Sequence, residues 1–280
     1  MSSRSSPVWP SARSRVVGVI GDPIDHSLSP LLHNAAFDAM GIDWVSVAFR
    51  VELDECQAAI AGMRALGIAG MSVTMPLKSK VAELVDVITP TADRLKSVNC
   101  LMLQDSSVVG DSTDGAGFID SLAKVGVGSL GGMRCAVYGT GGAARAVAYA
   151  LAQEGAADIA IIGRSPDAVE TAVQIIGAPA RKGIKDDITD SDLVIQATPV
   201  GMDGVGGMPF DPDLLSSGQF LVDLLYHPRE TELMIAASAR GVRAMNGMGM
   251  LVHQAAHQIS RWCGTIAPVD AMWETTVGHQ

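Results

Sequence analysis

The sequence has 280 residues, a formal net charge of −10, 48% hydrophobic residues and only 4% aromatic residues. This length and apolar content are sufficient for two hydrophobic cores, and the abundance of small aliphatic residues and glycine is typical of sheets covered on both faces by helices. The negative charge, without a cluster of Lys and Arg, argues against nucleic acid as a partner. The absence of any run of about 18 apolar residues argues against a membrane span.

The cysteines and the first residues indicate the compartment. Four cysteines are widely scattered with no CxxC pair, so a disulfide framework is not expected. A reducing, cytoplasmic location is expected instead. Residues 1–14 are rich in Ser, Arg and Pro and lack the apolar core of a signal peptide, so we expect a disordered tail.

The first half of the chain alternates between strand and helix patterns. An apolar run at 16–20 predicts a buried strand that ends at Gly21-Asp22-Pro23, and Ser29-Pro30 begins a helix that extends to Met40. The patterns that follow predict a strand at 45–51, a helix at 55–65, a strand at 70–75, a helix from Pro76 to about residue 87, and two strands at 98–103 and 108–109 around a polar turn.

A second series of alternating elements begins after Asp114, where a helix is expected through Leu122. Buried strands are predicted at 135–138, 159–162, 193–197 and 220–224, followed by helices at 250–262 and 268–276. The predicted fold is α/β, with an N-terminal substrate domain whose sheet is mainly parallel and a Rossmann-like dinucleotide-binding domain. The predicted limits are 15–113 plus 251–280 for the first domain, to which the C-terminal helices return, and 114–250 for the second.

A glycine-rich turn at 139–144 follows an apolar run and opens an Ala-rich segment, as a dinucleotide-binding strand, turn and helix require. Gly139 permits the tight bend, Gly141 lets backbone amides approach a pyrophosphate, and the helix N-terminus favours phosphate. A tight turn without a ligand is the alternative. The predicted cofactor-binding residues are Gly139, Thr140, Gly141, Gly142, Ala143, Arg164, Ser165, Thr198 and Leu224.

The end of the next strand indicates which nicotinamide cofactor binds. An acidic residue there would accept hydrogen bonds from a ribose hydroxyl, whereas a cation would accommodate a 2′-phosphate. The chain has Arg164 and Ser165 at this point, which can pair with phosphate and donate to it, so NADP is predicted and NAD is the alternative.

Two charged residues indicate proton transfer. Lys78 lies in the first turn of the helix after Pro76, where the macrodipole disfavours a cation, so local stability does not explain its presence. Asp114 lies at a helix start, where an ordinary capping role is equally consistent with its position. Together, Lys78 and Asp114 are predicted to be the catalytic pair.

Five motifs, in order along the chain, resemble those of the shikimate dehydrogenases. They are Gly21 to Asn34, Ser72 to Lys78, Ser97-Val98-Asn99, Ser112 to Gly115, and Gly249 to Ala256. The resemblance implies a reversible NADPH-dependent reduction of 3-dehydroshikimate to shikimate. It implies that the substrate is bound by Ser27, Ser29, Thr74, Lys78, Asn99, Asp114, Tyr226 and Gln254, and that backbone near Gly247 approaches the nicotinamide.

Departures from the family pattern leave alternatives open. Ser72 and Ser112 stand where the family commonly has Asn, and Ala168 replaces a second Arg that many NADP-using members have. A paralogue that prefers NAD or oxidises quinate, a catalytically silent NADP-binding regulator, and a folate-linked dehydrogenase are the competing hypotheses. The last does not explain the paired serines Ser27 and Ser29.

Metal binding is not expected. His253 and His257 are spaced to share a helix face, but the Glu of zinc proteases is missing and no third ligand is evident. The expected partner is a small-molecule substrate, and the chain is expected to be a monomer or a homodimer.

Overall fold

A computed structural model describes residues 10–202 and 205–277. The chain forms two compact units, the first made of Met1–Thr113 with Ala255–Gln280 and the second of Asp114–Gln254. The assignment of substrate to the first unit and cofactor to the second stays a prediction. Residues 1–9 of the predicted tail lie outside the described residues, while Ser11 and Ser14 donate hydrogen bonds to the carboxylate of Asp43.

The first unit contains a six-stranded sheet in the order β2-β1-β3-β5-β6-β4. Its strands are β1 (Arg15–Gly21), β2 (Trp44–Arg50), β3 (Gly70–Val73), β4 (Val87–Ile88), β5 (Cys100–Gln104) and β6 (Ser107–Asp111). β1 is parallel to both β2 and β3, and β4 is parallel to β6. β5 is antiparallel to both β3 and β6, and it forms a hairpin with β6 whose turn residues Asp105 and Ser106 have positive φ.

The helices of the first unit are α1 (Ser29–Met40), α2 (Cys56–Leu66), α3 (Lys78–Ala82), α4 (Pro90–Leu95) and α10 (Val269–Thr276). A core of buried side chains such as Ile20, Met63 and Leu101 packs α2, α3 and α4 onto the sheet. α9 (Met248–Cys263) passes from the second unit into the first, where the indole of Trp262 covers Gly70 so closely that a Cβ on Gly70 would lie 2.2 Å from Nε1.

The predicted helix from Pro76 to residue 87 is wrong, because α3 ends at Ala82. The carboxylate of Asp86 accepts hydrogen bonds from the side chain of Arg64 and from the backbone N–H of Val108, which holds this segment against β6. Val87 and Ile88 then pair with β6 as an edge strand. Tertiary pairing therefore overrides the helical pattern.

The second unit contains a six-stranded, fully parallel sheet in the order β12-β11-β10-β7-β8-β9. Its strands are β7 (Arg134–Tyr138), β8 (Asp158–Ile162), β9 (Ala180–Lys182), β10 (Leu193–Gln196), β11 (Phe220–Asp223) and β12 (Arg243–Met245). Its helices are α5 (Asp114–Lys124), α6 (Gly142–Gln153), α7 (Pro166–Ile176), α8 (Glu232–Ala239) and the first part of α9.

Both faces of this second sheet are covered by apolar cores, as near-continuous apolar strands require. The order in which the strands are connected reverses next to β7, which places the carboxyl ends of β7 and β10 at the switch point where doubly wound sheets bind ligands. The predicted α/β fold with a mainly parallel first sheet and a Rossmann-like second sheet is confirmed. The short strands β9 and β12 were not predicted.

Candidate active site

One edge of the first sheet is formed by the carboxyl ends of β1 and β3. These parallel neighbours end in register, with Ile20 opposite Val73. A hydrogen bond connects the two chain segments directly after β3, where the N–H of Thr74 donates to the carbonyl of Ile20 (2.9 Å). A Cβ on Gly21 would lie 2.4 Å from the methyl group of Thr74, so Gly21 is required for the Thr74 side chain to lie over the end of β1.

The two serines predicted to bind the substrate lie in the loop after β1 and at the start of α1. The Ser27 Oγ accepts a hydrogen bond from the N–H of Ser29 (3.3 Å). Ser29 is 5% exposed and is the first residue of α1, with Pro30 after it. The loop base is tied to β2 by an ion pair between Asp22 and Arg50 (2.8 Å). Ser27 and Ser29 are therefore held at the same sheet edge as Thr74.

Lys78 begins α3, four residues after Thr74. Its carbonyl accepts a hydrogen bond from the N–H of Val98 (3.0 Å), and the preceding residue, Leu77, is fully buried in the first core. The backbone of Lys78 is thus fixed between the end of β3 and the start of β5, while its side chain is partly exposed. This edge brings together five of the predicted substrate residues: Ser27, Ser29, Thr74, Lys78 and Asn99.

Asn99 directly precedes β5 and is 1% exposed. Its side-chain oxygen accepts hydrogen bonds from the N–H (2.7 Å) and the hydroxyl (3.2 Å) of Thr113, and its amide donates to the Thr113 hydroxyl (3.0 Å). Its carbonyl accepts from the N–H of Val73 and from the side chain of Gln258. Asn99 therefore orders the chain that leads into Asp114, in addition to its predicted contact with substrate.

Asp114, Tyr226 and Gln254 belong to the second unit. Asp114 is 4% exposed and begins α5, as predicted from its position. α5 packs directly against α9, because a Cβ on Gly117 would lie 2.4 Å from the backbone nitrogen of Gln254. The amide of Gln254 donates to the carbonyl of Leu251 within its own helix (2.9 Å). This close packing fixes Asp114 and Gln254 with respect to each other.

Tyr226 lies in the loop after β11, and burial raises the pKa of its hydroxyl. The same loop begins with Leu224, whose carbonyl would lie 2.0 Å from a Cβ on Gly247. The N–H of Gly247 donates to the carbonyl of Leu225 (2.8 Å). The predicted cofactor residues Leu224 and Gly247 therefore touch each other, and only glycine fits at position 247.

The glycine-rich turn connects β7 to α6 and fits a dinucleotide. Gly139 has φ of +138°, and a Cβ on it would lie 2.7 Å from the carbonyl oxygen of Ala197. Both the backbone conformation and the lack of space therefore exclude a side chain at this position. Gly141 is the N-cap of α6 and has no heavy atom within 4 Å of a Cβ position, so the helix N-terminus is open to a ligand. The first amides of a helix lack partners within it, and Gly142 and Ala143 supply two of them here.

Arg164 and Ser165 follow β8, beside the glycine turn. The methyl group of Thr140 packs over Gly163, where a Cβ would lie 2.9 Å away. Arg164 is exposed and makes no ion pair or hydrogen bond with any other described residue. Ser165 is the N-cap of α7 and accepts a hydrogen bond from the N–H of Ala168 (3.3 Å). Ser165 therefore has a structural role besides its predicted contact with phosphate.

Thr198 is held by a residue that the sequence analysis missed. Gln196 is fully buried at the end of β10, and its side-chain oxygen accepts hydrogen bonds from both the N–H and the hydroxyl of Thr198 (2.8 Å each). Its amide donates to the carbonyls of Thr198 and Val200. A polar residue that ends an apolar strand pattern is the signal that could have identified it.

Thr113 and Arg261 were also missed. Thr113 is fully buried and binds Asn99, and it stands inside a motif that was already recognised. Arg261 on α9 pairs with the buried carboxylate of Asp111, which also accepts from the hydroxyl of Thr89 (2.6 Å). The contact between Arg261 and Asp111 spans 150 positions, so no local pattern could indicate it.

The remaining expectations concern metals, membranes and cysteines. Residues 10–202 and 205–277 contain no group of three His, Cys, Asp or Glu side chains placed to hold a metal ion. No helix in the described part of the chain has the length and apolar character needed to span a membrane. The four cysteines, Cys56, Cys100, Cys135 and Cys263, are free thiols.

Comparison with known proteins identifies the family of this chain. Residues 19–101 match the family model described as the shikimate dehydrogenase substrate binding domain, and residues 247–275 match that of the shikimate 5′-dehydrogenase C-terminal domain. The shikimate dehydrogenase (NADP(+)) of Moorella thermoacetica is 39% identical over 93% of this chain and 92% of its own. The chain belongs to the shikimate dehydrogenase family.

Solved structures of similar proteins share the fold over nearly the whole chain. A shikimate dehydrogenase in complex with NADP+ has a TM-score of 0.91 and 31% identity, covering 98% of this chain and 99% of its own. The enzyme of Thermus thermophilus, in complex with NADP(H) and shikimate, has a TM-score of 0.88 and 28% identity, with coverage of 95% and 100%. A quinate dehydrogenase of Corynebacterium glutamicum in complex with NAD is also similar, with a TM-score of 0.84, 28% identity and coverage of 95% and 99%.

Proposed function

We propose that this protein catalyses the reversible NADPH-dependent reduction of the 3-keto group of 3-dehydroshikimate to give shikimate. The observation that carries the proposal is the edge of the first sheet, where Lys78 lies with two serines, a threonine and an asparagine in a chain of the shikimate dehydrogenase family. A polyhydroxylated ring acid requires a cation and many hydroxyl and amide groups, and this edge supplies both.

Within this proposal, NADPH supplies the hydride that is transferred to the carbonyl carbon. The Lys78 ammonium donates a proton or a hydrogen bond to the oxygen on which negative charge develops, and the Asp114 carboxylate supports the ammonium as its charged partner. Ser27 and Ser29 hold the carboxylate of the substrate, and Thr74, Asn99, Tyr226 and Gln254 bind its hydroxyl groups. These residue roles rest on the matching motifs together with the positions described above.

The cofactor is proposed to lie along the carboxyl edge of the second sheet. The open N-terminus of α6 at Gly141 and the amides of Gly142 and Ala143 suit the pyrophosphate. Arg164, which has no partner among the described residues, suits the 2′-phosphate of NADP. Thr198, Leu224 and Gly247 suit the nicotinamide end.

Turnover of shikimate with NADP, followed by absorbance at 340 nm, tests the activity directly. Lys78→Ala should lower kcat by about a hundredfold to ten-thousandfold, with little change in the affinity for shikimate. The matched control is Lys80→Ala on the same helix, because Lys80 is exposed and pairs with Glu83 (2.9 Å). Wild-type turnover by the Lys78 variant would refute the catalytic role, and absence of turnover in the wild type would favour a silent NADP-binding regulator.

A second candidate is a dehydrogenase that prefers NAD or oxidises quinate. It is favoured by the similarity to the quinate dehydrogenase of Corynebacterium glutamicum and by Ala168, which stands where many NADP-using members have a second Arg. A panel of shikimate and quinate with NADP and NAD separates the two. A higher kcat/KM for NAD than for NADP would overturn the cofactor assignment, and a higher value for quinate would overturn the substrate assignment.

The location and assembly state are also proposals. A cytoplasmic location is consistent with four free thiols, and a monomer or a homodimer is expected. Light scattering coupled to size exclusion distinguishes the two assembly states, and a larger oligomer would contradict both.

A further inference from the structure

A buried carboxylate at the end of β11 closes the loop that carries Tyr226. Asp223 is fully buried. One carboxylate oxygen accepts a hydrogen bond from the N–H of Leu225 (3.1 Å), and the other accepts from the hydroxyl of Thr231 (2.8 Å). These two contacts lie on opposite sides of Tyr226, so a single side chain joins the beginning of the loop to its end.

The charge of Asp223 strengthens this closure. Burial raises the pKa of the Asp223 carboxyl to about 6, against the two hydrogen bonds that favour its charged form. The carboxylate is therefore ionised at neutral pH, and both hydrogen bonds are charge-assisted. Among the described residues Asp223 forms no ion pair, and a buried charge without one is costly. Capping a turn does not require a charged residue, so local stability alone is a poor reason for Asp at this position.

The far end of the loop is anchored in two further ways. Thr231 is also the N-cap of α8, where its hydroxyl oxygen accepts a hydrogen bond from the N–H of Met234 (3.3 Å). The side chain of Asn246 donates to the carbonyl of Arg229 (3.0 Å) and accepts from the N–H of Met248 (3.1 Å). The loop is thus fixed to α8 at one place and to the start of α9 at another.

We propose that Asp223 is a positioning residue that acts through Tyr226, by closing the loop between Leu224 and Thr231 so that the Tyr226 side chain is held in place for substrate. This inference rests on the proposed function, because it takes Tyr226 to bind the substrate. It assigns to Asp223 no contact with substrate and no proton transfer.

A double-mutant cycle tests the proposal. Tyr226→Phe and Asp223→Asn should each raise KM for shikimate about tenfold, with a smaller change in kcat, because a displaced binding group weakens substrate binding. When one residue acts only through the other, their effects do not add. The double variant should therefore raise KM about tenfold, whereas two independent effects would give about a hundredfold.

Two further variants separate positioning from folding. Thr231→Val removes the hydroxyl that donates a hydrogen bond to Asp223, so it should raise KM for shikimate as much as Asp223→Asn does. Thr231→Ser keeps a hydroxyl and should have the KM of the wild type. Asp192→Asn is the matched control, because Asp192 accepts a backbone N–H from Arg134 (2.8 Å) at the amino end of the same sheet. It should leave KM unchanged.

The outcomes are distinguishable from failure of the proposed function. Without wild-type turnover of shikimate, the function itself is refuted. With wild-type turnover, the inference is overturned if Tyr226→Phe leaves KM unchanged, if the single effects multiply in the double variant, or if Thr231→Val has the KM of Thr231→Ser. Circular dichroism tests whether each variant is folded. If Asp223→Asn does not fold, Thr231→Val and Thr231→Ser, each made alone and together with Tyr226→Phe, provide the equivalent double-mutant cycle.

Discussion

Replacement of Gly247 by alanine should damage both stability and cofactor binding. Gly247 joins β12 to α9, and a Cβ at this position would lie 2.0 Å from the carbonyl oxygen and 2.5 Å from the carbonyl carbon of Leu224. Cβ atoms essentially never approach another heavy atom to less than 3.0 Å, so the two backbones must separate by at least about 1 Å. No side-chain rotation can relieve the clash, because both groups belong to the backbone.

The expected magnitude follows from the contacts that must change. Overpacking of a dense interior costs about 1–3 kcal/mol, and weakening the hydrogen bond from Gly247 to Leu225 costs about 1 kcal/mol more. The lower entropy of the unfolded alanine chain returns about 0.5 kcal/mol. The net loss is about 1.5–3.5 kcal/mol of unfolding free energy, which corresponds to a fall in Tm of roughly 3–14 °C for a unit of this size.

The same displacement moves Leu224, which is predicted to contact the cofactor. A shift of about 1 Å in a group that positions reactants can cost up to a hundredfold in rate, so kcat/KM for NADP should fall by about tenfold to a hundredfold. Calorimetry measures the Tm, and titration with NADP measures the affinity independently of turnover.

Gly218→Ala is the matched control for this prediction. Gly218 lies in the same unit just before β11, does not need a positive φ, and has no heavy atom within 4 Å of a Cβ position. Its Tm and NADP affinity should equal those of the wild type. The reasoning is refuted if Gly247→Ala matches Gly218→Ala within about 1 °C and binds NADP equally well.

Three further predictions concern the first unit. Burial lowers the pKa of His33 to about 3 in the folded state, whereas it is 6.5 in the unfolded state. Below pH 6.5 the unfolded state therefore binds a proton that the folded state does not, and the protein loses stability as the pH falls. By pH 5 this loss is about 2 kcal/mol, and urea unfolding at pH 7.5 and 5 should show a smaller loss in His33→Gln; an equal loss would contradict the assignment. Arg261→Gln leaves the buried Asp111 carboxylate without its ion pair and should cost about 2 kcal/mol, part of which the double variant with Asp111→Asn should recover; full additivity of the two changes would count against the pair. Gly70→Ala places a Cβ 2.2 Å from the Trp262 indole nitrogen and should lower the Tm by roughly 2–12 °C, so an unchanged melting curve would show that the indole can move aside.

Strongly periodic segments were predicted well because the burial that stabilises them is local. The helix from Ser29 to Met40 and the strands around 135–138 and 159–162 are within a residue of the observed elements. The short strands β9 and β12 were missed because each has three residues, carries Arg and is stabilised by pairing with a neighbour that is distant in sequence. The helix after Pro76 was overextended for the same reason, since a distant contact at Asp86 ends it.

The site shows the same division. Motif residues such as Lys78 and Gly139 could be identified because their types are unusual for their local structure. Gln196 and Thr113 carried a weaker signal that was missed, since Gln196 ends an apolar strand pattern and Thr113 stands inside a recognised motif. Arg261 could not be identified, because its role comes from the contact with Asp111, 150 positions away in sequence. The roles assigned to the motif residues stay predictions until the variants are measured.

The path of the chain through α9 affects how the protein can be divided. The second unit is one continuous stretch, Asp114–Gln254, whereas the first needs residues from both ends of the sequence. A fragment that stops at Thr113 would lack the indole that covers Gly70 and the guanidinium that pairs with Asp111. During synthesis from the N-terminus, the first unit is started before the second. Its C-terminal helical part is made only after the whole of the second unit has been synthesised.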